Sequence, residues 1–200
     1  MAGILIVCTG NVCRSPIAEG LLRAELKDRL GAGAPSVTSA GTAGWEGSAA
    51  MPESVAAAAE VGVDISDHSA RRLLPEHIRA ADLVIAMSHE HRRAVIQAIP
   101  EAEGRTFTLK ELVRLLEGLP VGDPEPVDPD AALARRVEQA DVLRREGFAG
   151  NPLDEDIVDP LGLPLESFRA VTWELGEWSR RMVDGLFGTA RARAGAGPEA

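Results

Sequence analysis

Two cysteines, an arginine and a serine lie close together near the start of the chain, in a spacing suited to phosphoryl transfer. Residues 7–16 read Val-Cys-Thr-Gly-Asn-Val-Cys-Arg-Ser-Pro, so five residues separate Cys8 from Arg14. A thiolate is a nucleophile, and a guanidinium offers a planar fork of N–H donors that matches a phosphate. The pair predicts a site in which Cys8 forms a covalent intermediate and Arg14 binds the transferred group.

The residues on either side of this loop predict how it is held. The apolar run at residues 3–7 is typical of a buried strand, and Ser15-Pro16 is typical of a helix start, with Ser as N-cap and Pro at the first helical position. Unpaired amides at a helix start and the helix dipole both favour an anion, so the loop is expected to bind phosphate and to stabilise a thiolate. Simple core packing of Cys8 is the alternative. That alternative does not explain why both cysteines of the chain, Cys8 and Cys13, lie in this loop.

Strand and helix patterns alternate along the rest of the chain. This order predicts a parallel sheet covered on both faces, with a ligand site beyond the carboxyl ends of the strands, where Cys8 lies. Ser88 and Asp130 are predicted as helix N-caps. Further strands are predicted at residues 36–40, 82–87 and 105–109, and helices at 16–30, 52–61, 89–99, 109–117, 131–146 and 165–187.

Composition restricts the class of protein. The 200 residues carry a net charge of −10, which argues against nucleic acid or an anionic membrane as a partner. No stretch approaches the ~20 apolar residues of a membrane span, and the first apolar run ends too soon for a signal peptide. We therefore expect a cytoplasmic protein with a single domain at residues 1–187 and a disordered tail at residues 188–200. Composition leaves the oligomeric state open.

Several motifs together resemble the low-molecular-weight protein tyrosine phosphatases. The loop at residues 7–16 is followed, in the order of that family, by four further segments. These are Ser39-Ala40-Gly41-Thr42 with Trp45, residues 62–71, residues 81–87, and Asp156-Ile157-Val158-Asp159-Pro160-Leu161-Gly162. The resemblance covers residues 3–116 and 154–187. It implies an α/β fold of three layers, with a four-stranded parallel sheet in the order 2-1-3-4 flanked by helices and a phosphate-binding loop after strand 1.

The resemblance also implies four catalytic roles. Cys8 is expected to attack phosphorus, and Arg14 to hold the equatorial oxygens. Ser15 is expected to stabilise the departing thiolate, and Asp159 to protonate the leaving oxygen and then to activate water. Physical chemistry supports this division, because phosphoryl transfer depends on positioning and charge stabilisation and a poor leaving group needs a proton. The implied partner is a phosphorylated protein or peptide, and no metal or other cofactor is implied.

Other residues are expected to bind the phosphate or to support the loop. By resemblance, Ser39, His68 and Asn11 form the hydrogen-bond network that keeps the loop in shape. Trp45, which lies in a glycine-rich segment, and Leu161 are expected to form walls of the substrate slot. The phosphate oxygens are expected to bind the backbone amides of the loop, which belong to Thr9, Gly10, Asn11, Val12 and Cys13.

Three Asp-Pro pairs compete for the role of the acid. They are Asp123-Pro124, Asp128-Pro129 and Asp159-Pro160. Only Asp159 follows an apolar pair and has a glycine shortly after it, which is typical of a fixed and partly buried loop. The other two pairs lie in a polar segment and are interpreted as turns.

Two positions depart from the family pattern and bear on the substrate. Leu161 stands where the family often has an aromatic residue, and the chain contains no tyrosine. Family members that act on phosphoarginine carry threonine at the position of Val12, so valine favours phosphotyrosine and leaves phosphoarginine as the alternative. Arsenate reductases also share the fold and the loop, but they need cysteines downstream of Cys13, and the sequence has none.

Two further features carry hypotheses. The segment at residues 117–153 is longer than the corresponding segment expected for the family. It lies within residues 111–160, which hold 13 acidic and 5 basic residues. This acidic insertion either forms a solvated face or lies near Asp159, where it would disfavour acidic peptides. Cys13 either fills space behind the loop or traps an oxidised Cys8 as a disulfide.

Overall fold

The centre of the molecule is a parallel sheet, seen in a computed structural model that describes residues 1–121, 128–148 and 155–189. The strands are β1 (Gly3–Cys8), β2 (Ser36–Gly41), β3 (Leu83–Ala86) and β4 (Thr106–Thr108). Within these residues they lie in the order β2-β1-β3-β4, which confirms the predicted topology. β1 is central, because it pairs with β2 along its whole length and with β3 from Ile4 to Val7.

Helices cover both faces of the sheet. They are α1 (Arg14–Leu30), α2 (Pro52–Glu60), α3 (Pro75–Ala80), α4 (His89–Ala98), α5 (Leu109–Glu117), α6 (Pro129–Arg145) and α7 (Leu165–Phe187). Alternation of side chains along β1 divides the core. Ile4, Ile6 and Cys8 join the apolar residues of α1, α5, α6 and α7, whereas Leu5 and Val7 join those of α3 and α4. The three-layer α/β fold is thereby confirmed.

The start of α1 differs from the sequence-based prediction. The helix begins at Arg14 with Cys13 in the N-cap position, so the prediction of Ser15 as N-cap is wrong. Ser15 is fully buried, and its hydroxyl contacts the Cys8 sulfur and the Asn11 amide. The hydroxyl therefore supports the loop and leaves the helix end uncapped by a side chain.

The start of α6 also differs. Asp128 is the N-cap, because its Oδ1 accepts a hydrogen bond from the Ala131 N–H at 3.1 Å. Asp128-Pro129 is therefore a helix start and not an isolated turn, and the prediction of Asp130 as N-cap is wrong. Asp130 instead binds the first residues of the chain, since its Oδ1 accepts the Ala2 N–H at 2.8 Å.

The described contacts of the acidic insertion include two at the amino ends of strands. Asp130 contacts the residue before β1, and Arg144 donates to the carbonyl of Thr106 at the start of β4. Cys8 ends β1 at the opposite, carboxyl edge, so these two contacts of α6 give no support to the hypothesis that the insertion lies near Asp159. Its buried residues are Ala132, Leu133, Arg136, Val137 and Ala140.

Some of the predictions fall on residues outside the described ranges. These are Asp123-Pro124 within residues 122–127, the insertion residues 149–154, and residues 190–200 of the predicted tail. Among the described residues, no helix is both long and apolar enough to cross a membrane.

Candidate active site

The segment between β1 and α1 forms a tight loop beyond the carboxyl end of the sheet. Cys8 is the last residue of β1, and its register partner in β2 is Gly41. A Cβ atom at Gly41 would lie 2.4 Å from the Thr9 carbonyl oxygen and 2.9 Å from the Asn11 nitrogen. β2 therefore approaches the loop so closely that this position requires glycine.

Asn11 is the centre of the loop. It is fully buried, and in the described part of the chain it is the one non-glycine residue with a positive φ, at 59°. Its Nδ2 donates to Ser15 Oγ at 2.9 Å and to Ser39 Oγ at 2.8 Å, and its Oδ1 accepts the Arg71 N–H at 2.9 Å. Asparagine tolerates the left-handed region better than most residues, and these three bonds hold it there.

Hydrogen-bond donors surround the sulfur of Cys8, whose side chain is buried. Sγ lies 2.8 Å from Ser15 Oγ and accepts the backbone N–H of Asn11 at 3.3 Å. Ser15 Oγ already accepts a hydrogen from the Asn11 amide, so its own hydrogen is available to the sulfur. Both donors stabilise negative charge at this atom, as a nucleophile and leaving group requires.

A second layer of side chains supports this network from behind. Ser39 Oγ donates to Glu19 Oε2 at 2.6 Å. His68 Nε2 lies 2.8 Å from the Asn11 carbonyl oxygen, and because a carbonyl only accepts, Nε2 carries the hydrogen. Arg71 adds a bond from its Nε to the Ser39 carbonyl at 2.7 Å. The structure thus brings Ser39 and His68 to the loop as expected, and it adds Glu19 and Arg71, which the sequence reasoning missed.

Arg14 places a buried guanidinium beside the loop. Its Nη1 donates to the Ile157 carbonyl at 3.0 Å, and its Nη2 donates to Asp159 Oδ2 at 2.6 Å and to Thr9 Oγ1 at 3.4 Å. The side chain is 6% exposed. Its Nε is buried and has no hydrogen-bond partner among the described residues. An unpaired buried donor costs about 1–3 kcal/mol, so this N–H is suited to bind an oxyanion.

The segment that carries Asp159 is anchored to the end of β3 and the start of α4. The buried Ile157 donates its N–H to the Met87 carbonyl at 2.9 Å. Asp156 Oδ1 accepts the backbone N–H of His89 at 2.8 Å. Burial raises the pKa of Asp156, but the hydrogen bonds from His89 outweigh it and leave the pKa below its ordinary value. These contacts hold the segment against the loop, although Asp159 follows Arg14 by 145 residues in the sequence.

Asp159 itself lies at the rim of the site. Its side chain is 42% exposed, and its Oδ1 accepts the Leu161 N–H at 3.2 Å. One carboxylate oxygen is therefore held by its own turn, while the other contacts Arg14. The group is open to solvent on one side and oriented on the other, as proton transfer to a bound substrate requires.

One cavity joins three of the four predicted catalytic residues to the predicted wall residues. Trp45 is 46% exposed at its mouth, and its ring lies over Gly10, where an added Cβ would be 3.6 Å from Cε2. Leu161 lines the mouth as an aliphatic wall. The residues that line the cavity are Cys8, Thr9, Gly10, Val12, Cys13, Arg14, Trp45, Asp159 and Leu161. Four predicted site residues do not line it, namely Ser15, which was expected to be catalytic, Asn11, whose amide was expected to bind phosphate, and the support residues Ser39 and His68.

The two cysteines of the loop have different surroundings. Both are free thiols. Burial, reinforced by the charge of Asp159, raises the pKa of Cys13 to about 12. Cys13 therefore remains a neutral thiol at ordinary pH, which leaves the nucleophilic role to Cys8 and its donors.

The sequence reasoning missed His91. This histidine is 3% exposed, with Nε2 at 2.9 Å from Thr9 Oγ1 and Nδ1 at 2.8 Å from Ser88 Oγ. A signal was available, because Ser88 was predicted as the N-cap that follows a buried strand. In a parallel sheet such a position lies at the same edge as Cys8, and the third residue of the helix faces back to the cap.

Comparison with known proteins agrees with this geometry. Residues 3–140 match the family model described as low molecular weight phosphotyrosine protein phosphatase. A protein-arginine-phosphatase of Geobacillus stearothermophilus is 33% identical over 183 residues, which cover 92% of this chain and 95% of that protein. The low molecular weight protein-tyrosine-phosphatase Etp of Escherichia coli K12 is 38% identical over 128 residues, which cover 64% of this chain and 80% of that protein.

Solved structures give the same result. The YwlE arginine phosphatase from Geobacillus stearothermophilus superposes with a TM-score of 0.67 at 32% identity, over 93% of each chain. A low molecular weight protein tyrosine phosphatase from T. tengcongensis superposes with a TM-score of 0.67 at 32% identity, over 92% of this chain and 99% of that one. From the matched family model, the fold and the loop, this chain belongs to the low molecular weight phosphotyrosine protein phosphatase family.

Proposed function

We propose that this protein hydrolyses phosphotyrosine in proteins through a cysteinyl-phosphate intermediate. The observation that carries the proposal is the meeting of Cys8, Arg14 and Asp159 in one cavity at the carboxyl edge of the sheet. The nucleophile and the cation come from one loop and the acid from a segment 145 residues after Arg14, and core packing alone gives no reason for the acid to meet them. Membership of a family of protein phosphatases supports phosphorylated proteins as substrates.

In the first step Cys8 attacks phosphorus and the ester oxygen leaves. Hydrogen bonds from Ser15 and the Asn11 N–H hold its sulfur at the base of the loop. The guanidinium of Arg14 supplies two donors to the phosphoryl oxygens, namely the buried Nε and the Nη2 that contacts Asp159. Preorganised donors of this kind stabilise the charge of the transition state without reorganisation.

Asp159 then has a role in both steps. When the phosphoryl group takes over Nη2 of Arg14, the carboxyl group is released from its 2.6 Å contact and faces the leaving oxygen. Once free of the guanidinium the carboxylate takes up a proton from solvent, or keeps the proton gained in the preceding turnover, and it donates that proton to the leaving oxygen in the first step. In the second step it accepts a proton from the water that attacks the cysteinyl phosphate, and the Cys8 thiolate leaves toward Ser15.

The walls of the cavity favour an aryl group. Trp45 presents a half-exposed ring, and Val12 and Leu161 present aliphatic surface. A phosphorylated tyrosine ring gains contact with all three, with less stacking than a second aromatic wall would provide. Val12 has no hydroxyl to offer to a polar substrate.

Phosphoarginine in proteins is the second candidate substrate. The observation in its favour is the 183-residue match to a protein named as an arginine phosphatase, which is longer than the 128-residue match to Etp. Against it stands Val12, where by the resemblance stated above arginine-specific members carry threonine. A Val12→Thr variant is therefore the informative comparison, because it changes one hydroxyl at nearly constant shape.

An aryl phosphate assay tests the mechanism. We expect turnover by the wild type and none by Cys8→Ala. Asp159→Asn is expected to lose activity by about 10²–10⁴ on phenyl phosphate, whose leaving group needs a proton, and much less on a nitrophenyl ester. Equal rates in the wild type and Cys8→Ala would overturn the proposal, and equal losses on both esters would remove Asp159 from the role of acid.

A peptide assay tests the substrate. Wild type and Val12→Thr are compared on matched peptides that carry phosphotyrosine or phosphoarginine at one position. We expect the wild type to prefer phosphotyrosine and Val12→Thr to shift toward phosphoarginine. A wild-type preference for phosphoarginine would replace the first candidate by the second and leave the mechanism at Cys8 intact.

We further propose a single catalytic domain at residues 1–187 that acts in the cytoplasm without nucleic acid or a membrane as partner. A reducing compartment suits the mechanism, because the nucleophile Cys8 has a second thiol, Cys13, in the same loop. Fractionation of cells, followed by detection of the protein, tests the compartment.

A further inference from the structure

A buried histidine that no step above uses contacts the phosphate-binding loop. His91 lies in the first turn of α4 and is 3% exposed. Its ring bridges two hydroxyl groups, with Nδ1 at 2.8 Å from Ser88 Oγ and Nε2 at 2.9 Å from Thr9 Oγ1. Thr9 is the residue after the nucleophile, and its Oγ1 also accepts from Nη2 of Arg14 at 3.4 Å. The imidazole is thus one hydroxyl away from the guanidinium.

The hydrogen bonds of Ser88 assign the tautomer of the ring. Ser88 Oγ accepts the backbone N–H of His91 at 3.4 Å as the N-cap of α4. The serine is buried, so its own hydrogen needs an acceptor, and among the described residues the ring Nδ1 is the acceptor in reach. Nδ1 is therefore unprotonated, and the ring hydrogen lies on Nε2.

This tautomer orients the hydroxyl of Thr9. Nε2–H donates to Thr9 Oγ1, and so does Nη2–H of Arg14, so both lone pairs of the oxygen are occupied. The hydroxyl hydrogen of Thr9 is then left to donate elsewhere. Thr9 is exposed and lines the cavity that holds Cys8 and Asp159, so the hydrogen is available to a group bound there.

The surroundings keep the ring neutral. Burial and, after it, the charge of Arg14 lower the pKa of His91 to about 4, although the charges of Asp159 and Asp156 act in the opposite direction. The ring therefore has one hydrogen above that pH, and Nδ1 stays free to accept from Ser88.

We propose that His91 is a positioning residue that makes the Thr9 hydroxyl a hydrogen-bond donor to the phosphoryl group and holds it as an acceptor for Arg14. This inference rests on the proposed function and adds one side-chain donor to the backbone amides of the loop. The step involves no transfer of the His91 proton. A histidine that only fills space beside α4 would leave the direction of the Thr9 hydroxyl unset.

Long-range ¹H–¹⁵N NMR spectra of the imidazole rings test the assignment without any substrate. We expect His91 in the Nε2–H form at pH 7, identified by the loss of its signals in His91→Gln. The Nδ1–H form would overturn the proposal, because Thr9 would then donate to the ring and not to the cavity. This result does not depend on activity, so it separates a failure of the inference from a failure of the proposed function.

Kinetic comparison tests the route through Thr9. Thr9→Val and His91→Leu are each expected to lower kcat/KM about tenfold and to raise the inhibition constant of inorganic phosphate, as expected when a hydrogen bond to a charged group is lost. Their double variant is expected to lose little more than either single variant. Thr9→Ser, which keeps the hydroxyl, and His91→Gln, whose amide N–H reaches the same position, are expected to recover most of the loss.

The contrary results are equally definite. Multiplicative losses in the double variant would mean that His91 does not act through Thr9. Equal losses in Thr9→Ser and Thr9→Val would remove the hydroxyl from the argument. Because Thr9 is exposed and Thr9→Val nearly preserves shape, this pair remains informative even if His91→Leu fails to fold.

Discussion

Replacing Asn11 tests how the loop is held, because glycine and alanine remove different things. Asn11→Gly loses three side-chain hydrogen bonds but accepts the φ of 59° without strain. Asn11→Ala loses the same bonds and also places a Cβ in the left-handed region. The two variants therefore separate the hydrogen-bond network from the backbone strain.

The expected size of each effect follows from these contacts. A buried hydrogen bond contributes about 1 kcal/mol net, so three lost bonds lower the free energy of unfolding by about 3 kcal/mol in both variants. Alanine at positive φ adds about 1 kcal/mol of strain relative to glycine. Activity is expected to fall in both, because Ser15 loses the donor that orients its hydroxyl toward Cys8.

Urea unfolding at pH 7 measures the free energy of unfolding of the wild type and both variants. The comparison requires that this free energy depends on urea concentration with the same slope in all three proteins. We expect the order wild type, Asn11→Gly, Asn11→Ala. If Asn11→Ala were as stable as Asn11→Gly, the left-handed backbone would not be a cost that Asn11 offsets. If neither variant lost more than about 0.5 kcal/mol, the typical range for surface changes, the network would not be what holds the loop.

Three further predictions address other contacts. Gly41→Ala should lower kcat/KM at least about tenfold in an aryl phosphate assay, because its Cβ would lie 2.4 Å from the Thr9 carbonyl oxygen. The control Gly176→Ala, whose Cβ would meet nothing within 4 Å, should be active. An active Gly41→Ala protein would contradict the tight approach of β2 to the loop. Because burial lowers the pKa of His91 to about 4, the unfolded chain binds the extra proton between the two pKa values, so stability should rise with pH from about 4 to 6.5. Between pH 4.5 and 7 the imidazole of His91 contributes about 2 kcal/mol to this rise in the free energy of unfolding. Urea unfolding of His91→Gln should show a rise smaller by that amount, and the same pH dependence in the variant and the wild type would refute the prediction. Peroxide should oxidise Cys8 and lead to a disulfide with Cys13. The disulfide should form faster at high pH, because burial raises the pKa of Cys13 to about 12 and its thiolate is the attacking form. If mass spectrometry of peptides shows no bridge, Cys13 is a space-filling residue.

The α/β class and the loop with Cys8 and Arg14 were accessible from patterns in the sequence. These patterns are the apolar run of β1, the spacing of the two residues and the alternation of strands and helices along the chain. The strand order and the role of Asp159 as acid were implied by the family resemblance, and the apolar flank of Asp159 and the glycine after it favoured this residue over the other Asp-Pro pairs. In the structure Ile157 is buried and Asp159 contacts Arg14.

The features that were missed depend on which hydrogen-bond partner a polar side chain takes in the folded chain. Ser15 satisfies the local pattern of an N-cap, but its hydroxyl bonds to Cys8 and Asn11 within the loop. Asp130 likewise fits a cap pattern, yet the amide of Ala2 competes for its carboxylate. The periodicity of the sequence does not indicate which hydrogen-bond partner the Ser15 hydroxyl or the Asp130 carboxylate takes.

The short helix α3 and the support residues Glu19 and Arg71 were missed for related reasons. α3 has six residues, too few to show a helical repeat, and it is defined by Pro75 at its start and by the burial of Ile78. Glu19 lies in the second turn of α1, where a carboxylate is usually solvated, and only the approach of Ser39 makes it a partner.

In the proposed mechanism a phosphoryl group passes through the sulfur of Cys8. Asp159→Asn is mixed with a nitrophenyl phosphate ester and quenched in acid within milliseconds, and the protein is then analysed by mass spectrometry. The nitrophenyl leaving group needs no proton, so the first step still occurs. The second step is slowed because the variant lacks the base that activates water, so the intermediate accumulates. We expect one added phosphoryl group on the peptide that contains Cys8, and none in the Asp159→Asn, Cys8→Ala double variant. Turnover without phosphorylated protein, or a phosphoryl group on Ser15 or Cys13, would contradict it.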